Sequence, residues 1–198
     1  MVTPQPGRKQ LSHDRILGTA ARALREGGFA GIGVADIMNR AGLTHGGFYA
    51  HFPSRDALLS AALERASLDS DERLRHCLKD GKRKDLSPFH ALVNSYLSTR
   101  HMTSPEGCPV AALASEMPLQ SEAVRQAAST SVVRLVRTIA ETLPACHAEG
   151  SAAVVASQMV GALQLARALG DNAASHRHLA ATRRFLLEQF DSPQPTRR

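Results

Sequence analysis

The chain reads as all α, an N-terminal three-helix unit followed by a larger helical body, and three observations carry that reading. Apolar residues recur three and four positions apart in almost every segment, no segment alternates with the period of a strand, and glycine or proline closes the helical runs. At 198 residues the chain is one domain, or a small module fused to a larger one. It is long enough to bury a core without disulfides or a structural metal.

The elements follow in order. Ile16, Leu17, Ala20, Ala21 and Leu24 mark a first helix that ends at Gly27-Gly28. Val34 to Ala41 is a short second helix stopped by Gly42. Thr44 to His51 is a third, capped by Thr44 and closed by Phe52-Pro53. Ser54 then caps a long helix whose stripe runs Leu58, Leu59, Ala62, Leu63, Ala66, Leu74 and Leu78. Residues 80–85 form a polar loop, and Ser87-Pro88 opens a helix that is expected to run to about Met102. A short helix from Pro109 to Glu116 is ended by Pro118. Three long patterns, near residues 121–143, 150–169 and 173–190, complete the body. The middle one is small or apolar on almost every face, with Arg167 its single charge, which suits burial in a subunit interface. The implied divisions are 1–53 for the N-terminal unit, 54–192 for the body and 193–198 for a tail.

Lys and Arg number 24 against 18 Asp and Glu, a formal net charge of +6. Residues 1–55 hold seven cations and three anions, an excess of four, whereas the remaining 143 residues carry +2. A basic excess gathered in a quarter of the chain is the footprint of a segment facing a polyanion, most simply nucleic acid, although charge alone also fits an ordinary solvated surface. The cysteines Cys77, Cys108 and Cys146 contain no C-x-x-C pair, so neither a disulfide framework nor a zinc knuckle is indicated. No dinucleotide or P-loop glycine pattern occurs, and no cofactor is expected. No run approaches the roughly 20 apolar residues of a membrane span and the start is polar, which points to a cytoplasmic protein without a membrane partner.

The second and third short helices, separated by Gly42-Leu43, have the proportions of a helix-turn-helix. Phe48 and Phe52 are one turn apart and expected to pack inward, leaving His45, Gly46, Gly47, Tyr49 and His51 outside. A glycine pair inside a helix costs about 1 kcal/mol per residue, which suggests close approach to something bulky such as a groove wall. Tyr49 and His51 suit phosphate oxygens, and Arg55 adds a charged clamp. The stretch GIGVADIMNRAGLTHGGFYAHFPSRDALL, from Gly31 to Leu59, resembles the DNA-binding signature of the TetR family of transcriptional regulators. The resemblance is strong over residues 10–65 and elsewhere rests on length and helical layout. It implies a homodimer whose recognition helices enter successive major grooves of a near-palindromic double-stranded operator, and a C-terminal ligand-responsive body whose last two helices pair. It also implies DNA contacts at Gly33, Thr44, His45, Gly46, Gly47, Tyr49, His51 and Arg55. Gly33 stands where the family usually carries a capping Ser or Thr, and Arg55 where it usually carries Lys. His45 reads a base or is an exposed residue near the cap.

For the trigger, Cys108 precedes a helix with proline at its first position, where free amides and the helix dipole favour a thiolate open to oxidants and electrophiles. The stretch also resembles the G-C-x-x-A-x-x-x-x-E segment of a TetR subset, some members of which sense electrophiles, quinones or reactive chlorine at that cysteine; Glu116 fits the last position. The competing reading makes Cys108 a small buried hydrophobe. A non-covalent effector cavity is the alternative trigger, with Phe89, Tyr96, His101, Met117, Met159, Gln164 and Arg167 as candidate lining. A lone cation in an apolar helix calls for an anion, which for Arg167 is Glu116, a partner carboxylate or an acidic ligand. His176 and His178, two apart, fall on different faces and do not suggest a metal site. Two further functions compete with a repressor: a thiol enzyme using Cys108 with a nearby histidine as base, and a DNA-binding architectural protein without ligand control.

Overall fold

A computed structural model describes residues 7–147 and 150–191; the expected tail at 193–198 lies outside the described residues. Among these, the regular structure is helical throughout. Helix α1 spans Arg8–Gly27 and is closed by Gly28 at φ +68°, and α2 spans Val34–Arg40 behind Gly33, followed by Gly42 at φ +68°. The third short element, His45–Ala50, is a 3-10 helix rather than an α-helix, the tighter winding typical of short pieces.

Ser54 accepts from the Ala57 amide, as its position suggested, and starts α3, Arg55–Lys82. This helix runs through the start of the segment expected to be a polar loop. Gly81 lies within it, buried, because a Cβ there would overlap that of Ala91; the glycine is a packing requirement, not a breaker. The next helix is also shorter than expected. Helix α4, Pro88–Tyr96, ends at Leu97, and Ser98 caps a separate α5, Thr99–Thr103, by accepting from the His101 amide. Helix α6 covers only Pro109–Leu113, and Pro118 sits inside a second 3-10 turn, Met117–Leu119, instead of ending a helix. Helices α7, Glu122–Ala140, α8, Ser151–Leu169, and α9, Ala173–Phe190, complete the body, the last begun by a reciprocal Asn172–Ser175 capping box.

Two cores result. The first packs Ile16, Phe29, Ile37, Phe48 and Phe52 against Leu58, Leu59 and Leu63 of α3, and takes in Leu113, Met117 and Val124 from the body. The second gathers Phe89, Leu92, Tyr96, Cys108, Ile139, Val155, Met159 and Leu163. Contrary to the expectation that no run approaches a membrane span, helix α8 is long and apolar enough to cross a membrane by length and composition. Its inner face, Val155, Met159, Ala162, Leu163 and Ala166, is packed into the second core, while Val154, Leu165 and Leu169 are exposed.

Candidate nucleic-acid interface and the cluster around Cys108

The reader is built on two phenylalanines. Phe48 and Phe52, with ring centroids 5.9 Å apart, are almost wholly buried, and this turns Thr44, His45, Gly46 and Tyr49 outward. Tyr49 is 73% exposed, with Thr44, His45 and Gly46 also open and Gly33 exposed ahead of α2. Gly46 and Gly47 have φ outside the left-handed range. A Cβ on Gly46 would meet nothing within 4 Å, and one on Gly47 only ordinary contacts, 3.7 Å from the Met38 methyl and 3.8 Å from the Thr44 hydroxyl. Neither backbone conformation nor internal packing requires glycine at these two positions.

Three residues sit differently from their expected geometry. Thr44 occupies the N-cap position, but its hydroxyl makes no capping bond, because the following turn is wound as 3-10. His51 is half-buried, not outward: its Nδ1 is sealed without a partner, and its ring lies 6.0 Å from that of His13, which stacks on Phe52 at 4.7 Å. Desolvation, then the neighbouring His13 and Lys9, hold the His51 pKa below the ordinary imidazole value. Arg55 turns its guanidinium inward, Nη2 donating to the Phe29 carbonyl at 2.7 Å and Nε to that of Ile32 at 3.2 Å. It clasps the α1–α2 turn instead of projecting as a clamp.

The basic excess is also partly spent inside. Arg25, with a side chain only 5% exposed, donates to the Ala66 carbonyl and lies 3.9 Å from Asp69; at the surface, Arg40 is paired with Asp36 at 2.9 Å. Lys9 and His13, one turn apart on α1, stand beside His51; sequence reasoning missed them because only the fold brings the start of α1 to the reader.

In the body, Cys108 is 2% exposed at the N-cap of α6. Its amide donates to His101 Nε2 at 2.9 Å, so that nitrogen carries the lone pair and Nδ1 carries the proton, donated to the Tyr96 carbonyl at 2.7 Å. Burial, aided by Arg167 and Arg73, pushes the His101 pKa down to about 4. With both ring nitrogens engaged by the backbone, His101 is not placed to take a proton from the Cys108 thiol. Tyr96 packs edge-on against His101 at 4.6 Å, and its buried hydroxyl meets no oxygen or nitrogen partner but lies against the Cys108 sulfur, a weak acceptor. Burial first, and then the Cys108 neighbour, raise its pKa well above the ordinary phenol value.

Arg167 donates from Nε to the Met102 carbonyl at 3.1 Å, and burial lowers its pKa. Among the described residues no carboxylate lies within ion-pair distance of it. Glu116 does not serve, since its carboxylate accepts from the Phe29 amide at 2.9 Å, on the other side of α6. The remaining expected effector residues do not line one cavity. Phe89 packs against Phe190 with centroids 6.2 Å apart, Met117 belongs to the first core, Met159 is fully buried in the second, and Gln164 is half-buried on α8. An open cleft of about 890 Å³ lies instead along α1, α3 and the α4–α5 junction, lined by Arg22, Arg25, Asp69, Arg73, Cys77 and His101 among others. Of the expected set, only His101 reaches it.

Two family models match this chain: "Bacterial regulatory proteins, tetR family" over residues 16–62, and "Transcriptional regulator LmrA/YxaF-like, C-terminal domain" over residues 89–177. The chain belongs to the TetR family. It is a DNA-binding transcriptional regulator with a TetR-type helix-turn-helix and a helical C-terminal body. Its relatives include the HTH-type transcriptional repressor NemR of Escherichia coli, 26% identical over 142 residues, which are 68% of this chain and 70% of that protein. The HTH-type transcriptional regulator LmrA of Bacillus subtilis is 26% identical over 155 residues, 77% of this chain and 81% of that one. The fold matches that of E. coli NemR in its reduced form with a TM-score of 0.77 at 20% identity, covering 93% of this chain and 99% of that one. A TetR regulator from Chloroflexus aurantiacus gives 0.74 at 22% identity, covering 92% and 98%. Members of the family bind DNA operators and typically form homodimers that answer to small molecules.

Proposed function

We propose that this TetR regulator is a homodimeric repressor, acting in the cytoplasm on a near-palindromic operator and released by a small-molecule ligand or by modification of Cys108. The observation that carries the reading is the pair Gly46 and Gly47. Nothing inside the protein demands a glycine at either position, and the low surface the pair leaves suits a body approaching closely from outside, such as a major-groove wall. Thr44, His45 and Tyr49 flank it as contact residues, Gly33 offers backbone to phosphate, and Arg55 supports the turn behind them. Lys9, His13 and His51 add cationic or hydrogen-bonding capacity at the start of α1.

For the dimer, exposed Val154, Leu165 and Leu169 of α8 adjoin exposed Phe185 of α9, and a second copy of this chain would cover them. For release, Cys108 has beside it the Tyr96 hydroxyl, which bonds no oxygen or nitrogen, and the Arg167 guanidinium, which has no carboxylate within ion-pair distance among the described residues. Hypochlorite or a peroxide, itself reduced to chloride or water, would convert the thiol to a sulfenate, and that oxygen anion, or an acidic ligand seated at Arg167, would take up both donors and repack the start of α6. The relative NemR is described structurally in a reduced form, which favours the thiol trigger.

The test is fluorescence anisotropy of the purified protein on its own upstream DNA, before and after N-ethylmaleimide, with Cys108→Ser alongside. Tight, specific binding that treatment abolishes in the wild type and spares in the variant is the expected result. Specific binding that ignores treatment returns Cys108 to the core and moves the trigger to a reversible ligand. Discrimination of operator over bulk DNA below about 10³ would make the protein an architectural binder instead.

A further inference from the structure

We propose that Glu116 is the positioning residue through which the body sets the placement of the DNA reader. The proposal rests on the operator-binding reading and on neither release mechanism. The residues between Cys108 and Met117 join the two cores: Cys108, Val110 and Ala111 are packed in the second, Leu113 and Met117 in the first. Glu116 lies between those last two, its amide bonded to the Leu113 carbonyl at 2.9 Å, so the end of α6 dictates where its side chain starts.

That side chain reaches one point on the reader. Its Oε2 accepts from the Phe29 amide at 2.9 Å, while the Phe29 carbonyl accepts from Arg55 Nη2 at 2.7 Å and the Ile32 carbonyl from Arg55 Nε at 3.2 Å. A carboxylate from the body and a guanidinium from the first turn of α3 therefore hold the two polar groups of the same residue. The Phe29 ring, 1% exposed, anchors that residue in the first core. The turn is shaped for this contact. Gly28 has φ +68°, and any Cβ on it would overlap the Glu116 carboxylate; a Cβ on Gly31 would lie 2.6 Å from the Gly27 carbonyl. A rigid turn gripped by a charge-assisted hydrogen bond transmits a displacement of α6 to α1 and α2, where a flexible one would absorb it.

Two readers of a dimer bind a near-palindrome well only when their separation matches the half-site spacing, and a single half-site does not report that separation. The experiment uses full-length protein and three duplexes: the site it selects from a random-sequence pool, that site with one base pair inserted at its centre, and one half of it. Wild type is compared with Glu116→Ala, Glu116→Asp, which keeps the charge but withdraws the reach, and Glu116→Gln, which keeps the acceptor. We expect Ala and Asp to weaken binding to the selected site by about tenfold, the scale of an ordinary coupling between sites. They should also shrink the penalty of the inserted base pair and leave half-site affinity unchanged, while Gln restores wild-type behaviour. Equal losses on all three duplexes in every variant would mean a merely structural residue and overturn the proposal, as would wild-type binding by Ala and Asp. If Ala does not fold by thermal melt, Asp and Gln carry the comparison. A wild type that ignores the insertion would overturn the operator reading itself, a failure visible before any variant is made.

Discussion

The glycines of the reader and those of the body serve opposite ends. Gly46 and Gly47 face open space and contacts no tighter than 3.7 Å, so their missing side chains make room for a partner. Gly81 and Gly107, in the body, face groups already in place: the Ala91 methyl and the Arg167 guanidinium. The residue type is the same and the physical reason differs. In the reader, glycine keeps a surface low; in the body, it admits an internal contact. On the proposed reading the first kind serves binding and the second serves folding, and the two requirements can be separated by experiment.

The largest expected effect is on the body and is acidic. His101 is held neutral, with a pKa near 4 against an ordinary 6.5. Between those values the unfolded chain binds more protons than the folded one, so stability is fully present above pH 6.5 and is lost as pH falls toward 4, by at most about 3 kcal/mol. Thermal melts between pH 7 and 4.5 should show that loss, and His101→Gln should flatten it. Parallel curves would assign the loss to carboxylates elsewhere. Next, Gly81→Ala should destabilise the protein by about 2 kcal/mol, because overlap with Ala91 outweighs the roughly 1 kcal/mol that alanine contributes inside a helix. A Tm at or above the wild type would break the contrast between the two glycine classes. Gly46→Ala should leave Tm unchanged or slightly higher while operator affinity falls about tenfold, or 1.4 kcal/mol; unaltered affinity would show that nothing approaches there. The smallest effect belongs to Tyr96→Phe. The hydroxyl meets only the weak acceptor of the Cys108 sulfur, so deleting it should change the stability of the resting protein by less than about 1 kcal/mol, and a larger loss would show that this contact holds the start of α6.

The reader was legible because its determinants are local. Phe48 and Phe52 are set inward by a spacing of four, and the glycine pair, Tyr49 and the Ser54 cap all lie within a dozen residues. The misplacements there, at Thr44, His51 and Arg55, come from choices a one-dimensional pattern does not record: 3-10 against α winding, and whether a long side chain turns outward or back to a backbone carbonyl. The body was less legible. Phe89, Met117 and Arg167 are all reasonable pocket residues by type, yet they fall at the far end, in the other core, and beside Cys108. Periodicity assigns a face to a residue but not the neighbour that meets it. Gly81 shows the same limit, since it reads as a loop signal and serves as a contact.

The helical class, the starts at Ser54 and Ser87-Pro88, the helix-turn-helix and the family follow from the sequence alone, because short-range sterics, capping and apolar period are properties of neighbouring residues. What only the tertiary structure decided is which distant groups face each other: His101 with the Cys108 amide, Arg55 with Phe29 and Ile32, and Glu116 with Phe29 rather than Arg167. Those pairings depend on how the helices cross, and helix crossing is settled by the packing of whole surfaces, which no stretch of chain contains by itself.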